Sequence, residues 1–129
     1  MADLRFENKN NQKKTDSIFA SGVISTSATM DEILFTLPEA SIVTRAYAVV
    51  LTASGVADST IDIKVGTTLV NDEAKVDAVG VITGTELGYF PTGGIVTVVA
   101  GSTAPDDAGR IKVIVEYIET ELTNGTYTD

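Results

Sequence analysis

The candidates for carboxylate chemistry in this chain are Asp72, Glu73, Asp77, Glu86, Asp106 and Asp107. Two carboxylates flanking one bond suffice for glycoside hydrolysis. Each of these six falls in a loop or polar connection of the sequence pattern, however, and none takes an inward strand position. The chain has no tryptophan to stack on a sugar ring, so the expected role of these acids is to face water. Calcium is a second use, because it takes six to eight oxygens and needs no nitrogen or sulfur. Asp106 and Asp107 with Ser102 and Thr103 offer part of such a shell, but the spacing of an EF-hand is absent. No metal site and no cofactor is expected.

The remaining motifs fare no better. Gly66-Thr67-Thr68 and Gly93-Gly94 match neither phosphate-cradling pattern and read as turns. Gly101-Ser102-Thr103 is not a nucleophile elbow, which requires GxSxG and a histidine. Histidine and cysteine are both absent, which excludes a Ser-His-Asp triad, imidazole or thiolate metal ligands, a thiol nucleophile and a disulfide framework. Asn124-Gly125-Thr126 matches a glycosylation acceptor without the secretory signal such use would need. Tyr47, Tyr89, Phe90 and Tyr117 are the candidates for a glycan platform. Tyr47 and Tyr117 fall on strand faces among apolar neighbours, which leaves Tyr89 and Phe90, in a glycine-rich loop, as the exposed pair to test. The chain is not expected to be an enzyme.

The elements that would position these residues are strands. Segments 17–25, 32–37, 42–52, 60–65, 67–70 and 95–100, with a closing strand over 109–121, alternate apolar and polar residues or are rich in β-branched ones. Short strands are expected near Val81-Ile82 and over 87–90. Segment 71–78 reads as a charged connection with room for a helical turn. Over 42–52 both faces are largely apolar, and a bulge near Arg45 would re-phase them. This pattern predicts one all-β domain over 17–121, an antiparallel β-sandwich of jelly-roll-like form, preceded by a flexible N-terminal arm (1–16) and followed by a flexible tail (122–129). A chain of 129 residues suits one such core.

Charge separates the arm from the body. The chain carries a formal net charge of −9, which disfavours nucleic acid and anionic membranes as partners. Residues 1–14 hold Arg5, Lys9, Lys13 and Lys14 against Asp3 and Glu7, so a basic arm precedes an acidic body with five cations and sixteen acids. Leu4 and Phe6 are the large apolar anchors of that arm. In the closing strand, Ile111, Val113, Val115 and Tyr117 form one face, while Ile114 and Ile118 interrupt Arg110, Lys112 and Glu116 on the other. A half-apolar outer face implies a partner, and self-association is expected. No run approaches the ~20 apolar residues of a membrane span, and no early stretch has a signal-peptide core. The expectation is a soluble chain made in the cytoplasm.

The succession Leu34-Phe35-Thr36-Leu37-Pro38, Ala40-Ser41-Ile42-Val43-Thr44-Arg45, Ile61-Asp62-Ile63-Lys64-Val65-Gly66-Thr67 and Ala108 to Ile118 resembles small virion proteins of tailed bacteriophages. Over residues 33–118 the chain is similar to capsid decoration (cement) proteins and head-fibre bases. That resemblance implies β-sandwich subunits, often trimeric, attached to the major capsid protein on the outside of the head. The interface candidates are then Leu4, Arg5, Phe6, Lys13 and Lys14 of the arm, Ile114 and Ile118 of the closing strand, and Tyr89 and Phe90. A tail-associated virion component and a carbohydrate-binding β-sandwich module are the alternatives.

Overall fold

The computed structural model describes residues 16–82 and 88–120. Ten strands are found among them: β1 (Asp16–Ala20), β2 (Ile24–Ser25), β3 (Asp31–Leu37), β4 (Ser41–Thr52), β5 (Thr60–Val65), β6 (Thr68–Lys75), β7 (Gly80–Ile82), β8 (Gly88–Phe90), β9 (Gly94–Ala100) and β10 (Arg110–Glu119). All pairings are antiparallel. β1 and β2 lie end to end along one side of β10, and β7 and β8 lie end to end along β4, giving the sheet β1/β2-β10-β4-β7/β8. The second sheet is β3-β9-β5-β6. Taken in chain order, the first strand pairs with the last, β3 with β9, β4 with β7/β8, and β5 with β6. This nested pairing is one long hairpin rolled into two sheets, the jelly roll.

The centre of the rolled hairpin is a two-residue turn. Val65 pairs with Thr68 across Gly66-Thr67, and Gly66 at φ 60° supplies the positive dihedral that such a turn requires at its first central position. Gly93 (φ 70°) ends the turn before β9, where an added Cβ would collide with the Leu37 carbonyl oxygen and press on Pro38. Backbone rather than a flexible side chain blocks that space. Gly93→Ala is therefore expected to destabilise the fold by at least about 1–3 kcal/mol, read as a lower urea midpoint at unchanged m-value.

Between the sheets lies a core of aliphatic side chains. Val43, Ala46, Ala48 and Val50 of β4 and Ile111, Val113 and Val115 of β10 face Ile61, Ile63 and Val65 of β5 and Val96 and Val98 of β9. Short β-branched chains on both inner faces fit the close spacing of packed sheets. The expected bulge is present. Glu116 pairs with Arg45 and Tyr117 with Val43, so Thr44 is the extra residue, and the buried set shifts phase from Val43 to Ala46. One end of the core is closed by aromatics from both sheets: Phe19 stacks on Phe35 with ring centroids 4.3 Å apart, and Phe35 on Tyr117 at 5.7 Å. Asn71 of β6, almost wholly buried, donates from Nδ2 to the Ala46 carbonyl at 2.9 Å, a hydrogen bond between the sheets.

Three boundaries differ from the sequence pattern. β1 already includes Asp16, paired with Ile118, so the sheet begins one residue inside the expected arm. Segment 17–25 is two strands, broken where the Ser21 amide bonds to the Val113 carbonyl. Segment 71–75 is strand, not a charged connection. A bulge sets Asp72 and Glu73 opposite Asp62, since Ile61 pairs with Ala74 and Ile63 with Asn71, and Glu73 takes φ 57° to make it.

Candidate functional site

The outer face of the β1/β2-β10-β4-β7/β8 sheet is built by the alternation of its strands. Residues Ile111, Val113 and Val115 point inward, which turns Arg110, Lys112, Ile114, Glu116 and Ile118 outward. The register then sets Ile18 beside Glu116, Ala20 beside Ile114, Tyr47 on the other side of Ile114, Val49 between Lys112 and Val81, and Ile42 between Ile118 and Tyr89. Ile114 and Ile118 are half-buried there. The rims are the exposed parts: Ile18 is 68% exposed, Val81 61% and Tyr89 57%.

Charges on this face are few and partly cancelled. Arg45 Nη1 lies 3.4 Å from Glu116 Oε2, and its guanidinium sits 4.6 Å above the Tyr47 ring. An exposed pair of this kind contributes little to stability, but it holds both side chains flat across the middle of the sheet. Of the five cations that follow residue 14, Arg45, Arg110 and Lys112 are here, so among the described residues this face carries most of the cations of an acidic body.

The opposite sheet carries a different cluster. Asp62, Asp72 and Glu73 bring carboxylate oxygens within 4.8 Å of one another, because the β6 bulge turns all three to one side. Their oxygens are already engaged in part. The Glu73 amide donates to Asp62 Oδ1 at 2.7 Å, while Glu73 Oε1 accepts from the Thr60 and Ser102 hydroxyls, each at 2.7 Å. The Ser102 hydroxyl bond, followed by that of Thr60, holds the Glu73 carboxyl below its ordinary range, whereas desolvation raises that of Asp62. Glu73 thereby ties β6 to the loop after β9.

Asp106 makes a second tie. Its Oδ1 accepts from the Gly55 amide at 2.9 Å, the Ala108 amide at 3.1 Å and the Ser54 hydroxyl at 3.2 Å. The Gly55 amide, and after it that of Ala108, lowers the Asp106 pKa. The expectation that Asp106 and Asp107 share a shell with Ser102 and Thr103 is not what the contacts describe: Ser102 serves Glu73, and Asp106 serves the β4–β5 loop. Asp72 and Glu73 also stand on a strand rather than in a connection.

Among the aromatic candidates, Tyr89 is exposed on β8, but Phe90 is half-buried against the core. Strand alternation separates the two, so they form no exposed pair. Leu4, Arg5, Phe6, Lys13, Lys14 and Glu86 lie outside the described residues. Sequence reasoning missed Ile18 and Val81 as face residues. Ile18 had a usable signal, since it alternates with Phe19; Val81 becomes a face residue through its pairing with Val49.

No family model and no curated protein matches the sequence. Solved structures do. A chain in the acidic stable capsid structure of Helicobacter pylori bacteriophage KHP30 aligns over 81% of this chain and 87% of its own length, with a TM-score of 0.55 and 15% identity. A chain in the capsid asymmetric unit of cyanophage Pam1 aligns over 80% of this chain and 84% of its own, with a TM-score of 0.59 and 14% identity. At such identities the likeness is one of fold. It covers about four fifths of the chain, and both neighbours come from phage capsids.

Proposed function

We propose that this chain is a non-enzymatic bacteriophage virion structural protein, a capsid decoration or cement protein that binds the outside of the head as a homotrimer and stabilises it. The observation that carries this reading is the jelly roll shared over four fifths of the chain with chains from two phage capsids. The outer sheet face supports it independently. Single exposed apolar residues are ordinary on a monomer, but Ile18, Val81 and Tyr89 rim a face that also holds Ile114, Ile118, Ile42 and Val49, and apolar groups gathered on one face suit a protein interface. Within the carboxylate cluster Glu73 holds the loop after β9 through Ser102, which fits a structural role.

In this reading the arm meets the major capsid protein: Leu4 and Phe6 anchor it, and Arg5, Lys13 and Lys14 face acidic groups of the shell. The test is reconstitution on shells purified without the protein. Full-length chain is expected to bind at a fixed ratio to the major capsid protein, to raise the temperature at which shells rupture, and to bind less as salt increases. A chain beginning at Asp16, which keeps all of β1, is expected to fold and associate but not to bind. Failure of full-length chain to bind shells, or its recovery from purified particles with the tail alone, would overturn the head assignment.

A further inference from the structure

The flank of the sandwich where β1 and β3 run side by side is open. Among the described residues β1 pairs only with β10 and β3 only with β9, so each presents an unpaired edge, and the Phe19–Phe35 stack brings the two edges together. Between them lies a groove of about 330 Å³ lined by Phe19, Ile24, Ile33 and Leu34, with Ser21 and Gly22 at the break between β1 and β2. Ile33 stands 71% exposed on its lip, where the β3 bulge at Leu34 breaks the alternation. We infer that residues 4–9 of the same chain fold back along the β1 edge as an added strand and place Leu4 and Phe6 in this groove.

Chain length, parity and charge name this occupant. Phe6 lies ten positions before Asp16, a reach of up to about 33 Å, whereas Asp16 to Ser21 spans only about 17 Å of strand. The remainder is enough for a reversal, and Asn10 and Asn11 are residues that turns favour. Phe19 turns inward, onto Phe35. Setting Phe6 opposite Phe19 also sets Leu4 opposite Ser21 and Lys9 opposite Asp16, and leaves Asn10 to Thr15 as the turn. Residues opposite one another in an antiparallel ladder share a face, so Leu4 and Phe6 enter the groove while Arg5, Glu7 and Lys9 stay in water. Lys9 there meets an opposite charge. Glu32 is the one charged side chain among the described residues of the groove lining, which suits a segment with more cations than acids.

A neighbour's arm offers the same side chains. A tether this short, however, holds the chain's own arm at an effective concentration on the order of millimolar, well above that of other copies in dilute solution. Under the reading above, Leu4 and Phe6 also belong to the contact with the shell, so groove and shell compete for them. Arms held in the groove then lower the apparent affinity for the shell by the fraction left free.

The chain has no tryptophan, so Phe6→Trp reports on the arm alone. Gly22→Leu plugs the groove, and a Cβ at Gly22 meets no atom within 4 Å, so the fold has room for it; Ile33→Asn, which makes the lip polar, replaces it if the melting temperature falls. On the free full-length chain, the introduced indole is expected to emit at shorter wavelength than in water and to resist acrylamide quenching. Adding Gly22→Leu is expected to abolish both effects. In the chain with its natural Phe6, trypsin is expected to cut after Arg5 roughly tenfold more slowly than in Gly22→Leu, because cleavage follows the undocked fraction. Equal cleavage in the two chains would overturn the inference, whatever the indole shows. The plugged Phe6→Trp chain is then mixed at micromolar concentration with full-length chains carrying Leu4→Asn and Phe6→Asn, whose grooves stand open. Its emission is expected not to move, and a shift to shorter wavelength would give the groove to a neighbour's arm and overturn the fold-back. All readouts come from the free chain, so shells that fail to bind the protein would remove the decoration reading and leave this inference standing.

Discussion

Ile114→Asp is expected to yield a folded protein that no longer associates, whereas Ile111→Asp is expected to yield no folded protein at all. The two isoleucines are three positions apart on β10 and differ in the side of the sheet they occupy. Ile111 is wholly buried among Val50, Ile63 and their neighbours in the core, and a carboxylate there loses its hydration with no partner to replace it. The cost is several kcal/mol on a fold whose whole stability is about 5–15 kcal/mol. Ile114 faces outward between Ala20 and Tyr47. In an isolated chain a carboxylate at this half-buried position keeps access to water and acts mainly through association. Light scattering or sedimentation at tens of micromolar reads the mass, and far-ultraviolet circular dichroism reads the fold. Equal loss of fold and mass in Ile114→Asp would place Ile114 in the core and remove it from the interface.

That contrast was legible in the sequence because β10 alternates without interruption from Arg110 to Glu116. The same holds for β5, where Ile61, Ile63 and Val65 point inward and Asp62 and Lys64 outward. β6 was not legible, and its bulge is the reason. Val70 and Asn71 are buried in succession, then Asp72 and Glu73 turn out before Ala74 is buried, so the period of two is lost just where charged residues cluster. The bulge at Thr44 was inferable because β4 is long enough for both phases to show. Strand order is another matter. The pairing of β1 with β10 joins residues about a hundred positions apart, and local alternation carries no information about it. The outer face therefore emerged only in part from the sequence: Ile114 and Ile118 from their own strand, but Val81 and Tyr89 only once β4 was known to lie beside β7 and β8. Phe90 was misjudged because its glycine-rich flanks suggested a loop, while pairing with Ser41 makes it strand and turns it toward the core.

The loop ties predict a two-part response to acid. Glu73 and Asp106 both have carboxyl pKa values lowered in the folded chain, the first chiefly by the Ser102 hydroxyl and the second chiefly by the Gly55 amide. For a carboxylate whose folded pKa is depressed, the stabilisation is complete above the unfolded value and is lost as pH falls through the folded one. With unfolded carboxyls near 4, this loss begins below about pH 4. Asp62 works in the opposite direction. Desolvation raises its pKa above the unfolded value, so its ionised form opposes folding at neutral pH, and protonation relieves that cost as pH falls toward 4. Relief of the overall negative charge acts with it. The melting temperature is therefore expected to hold or rise slightly from pH 7 to about 5 and to fall steeply below about 4. Asp62→Asn should raise the melting temperature at pH 7 and flatten the upper limb, while Glu73→Gln should lower it at pH 7 and make the lower limb shallower. An Asp62→Asn curve parallel to that of the unmodified protein above pH 4 would refute the role given to Asp62. A lower limb unaltered by Glu73→Gln would move the acid sensitivity to Asp106, whose three donors come from the β4–β5 and β9–β10 loops at the same end of the sandwich.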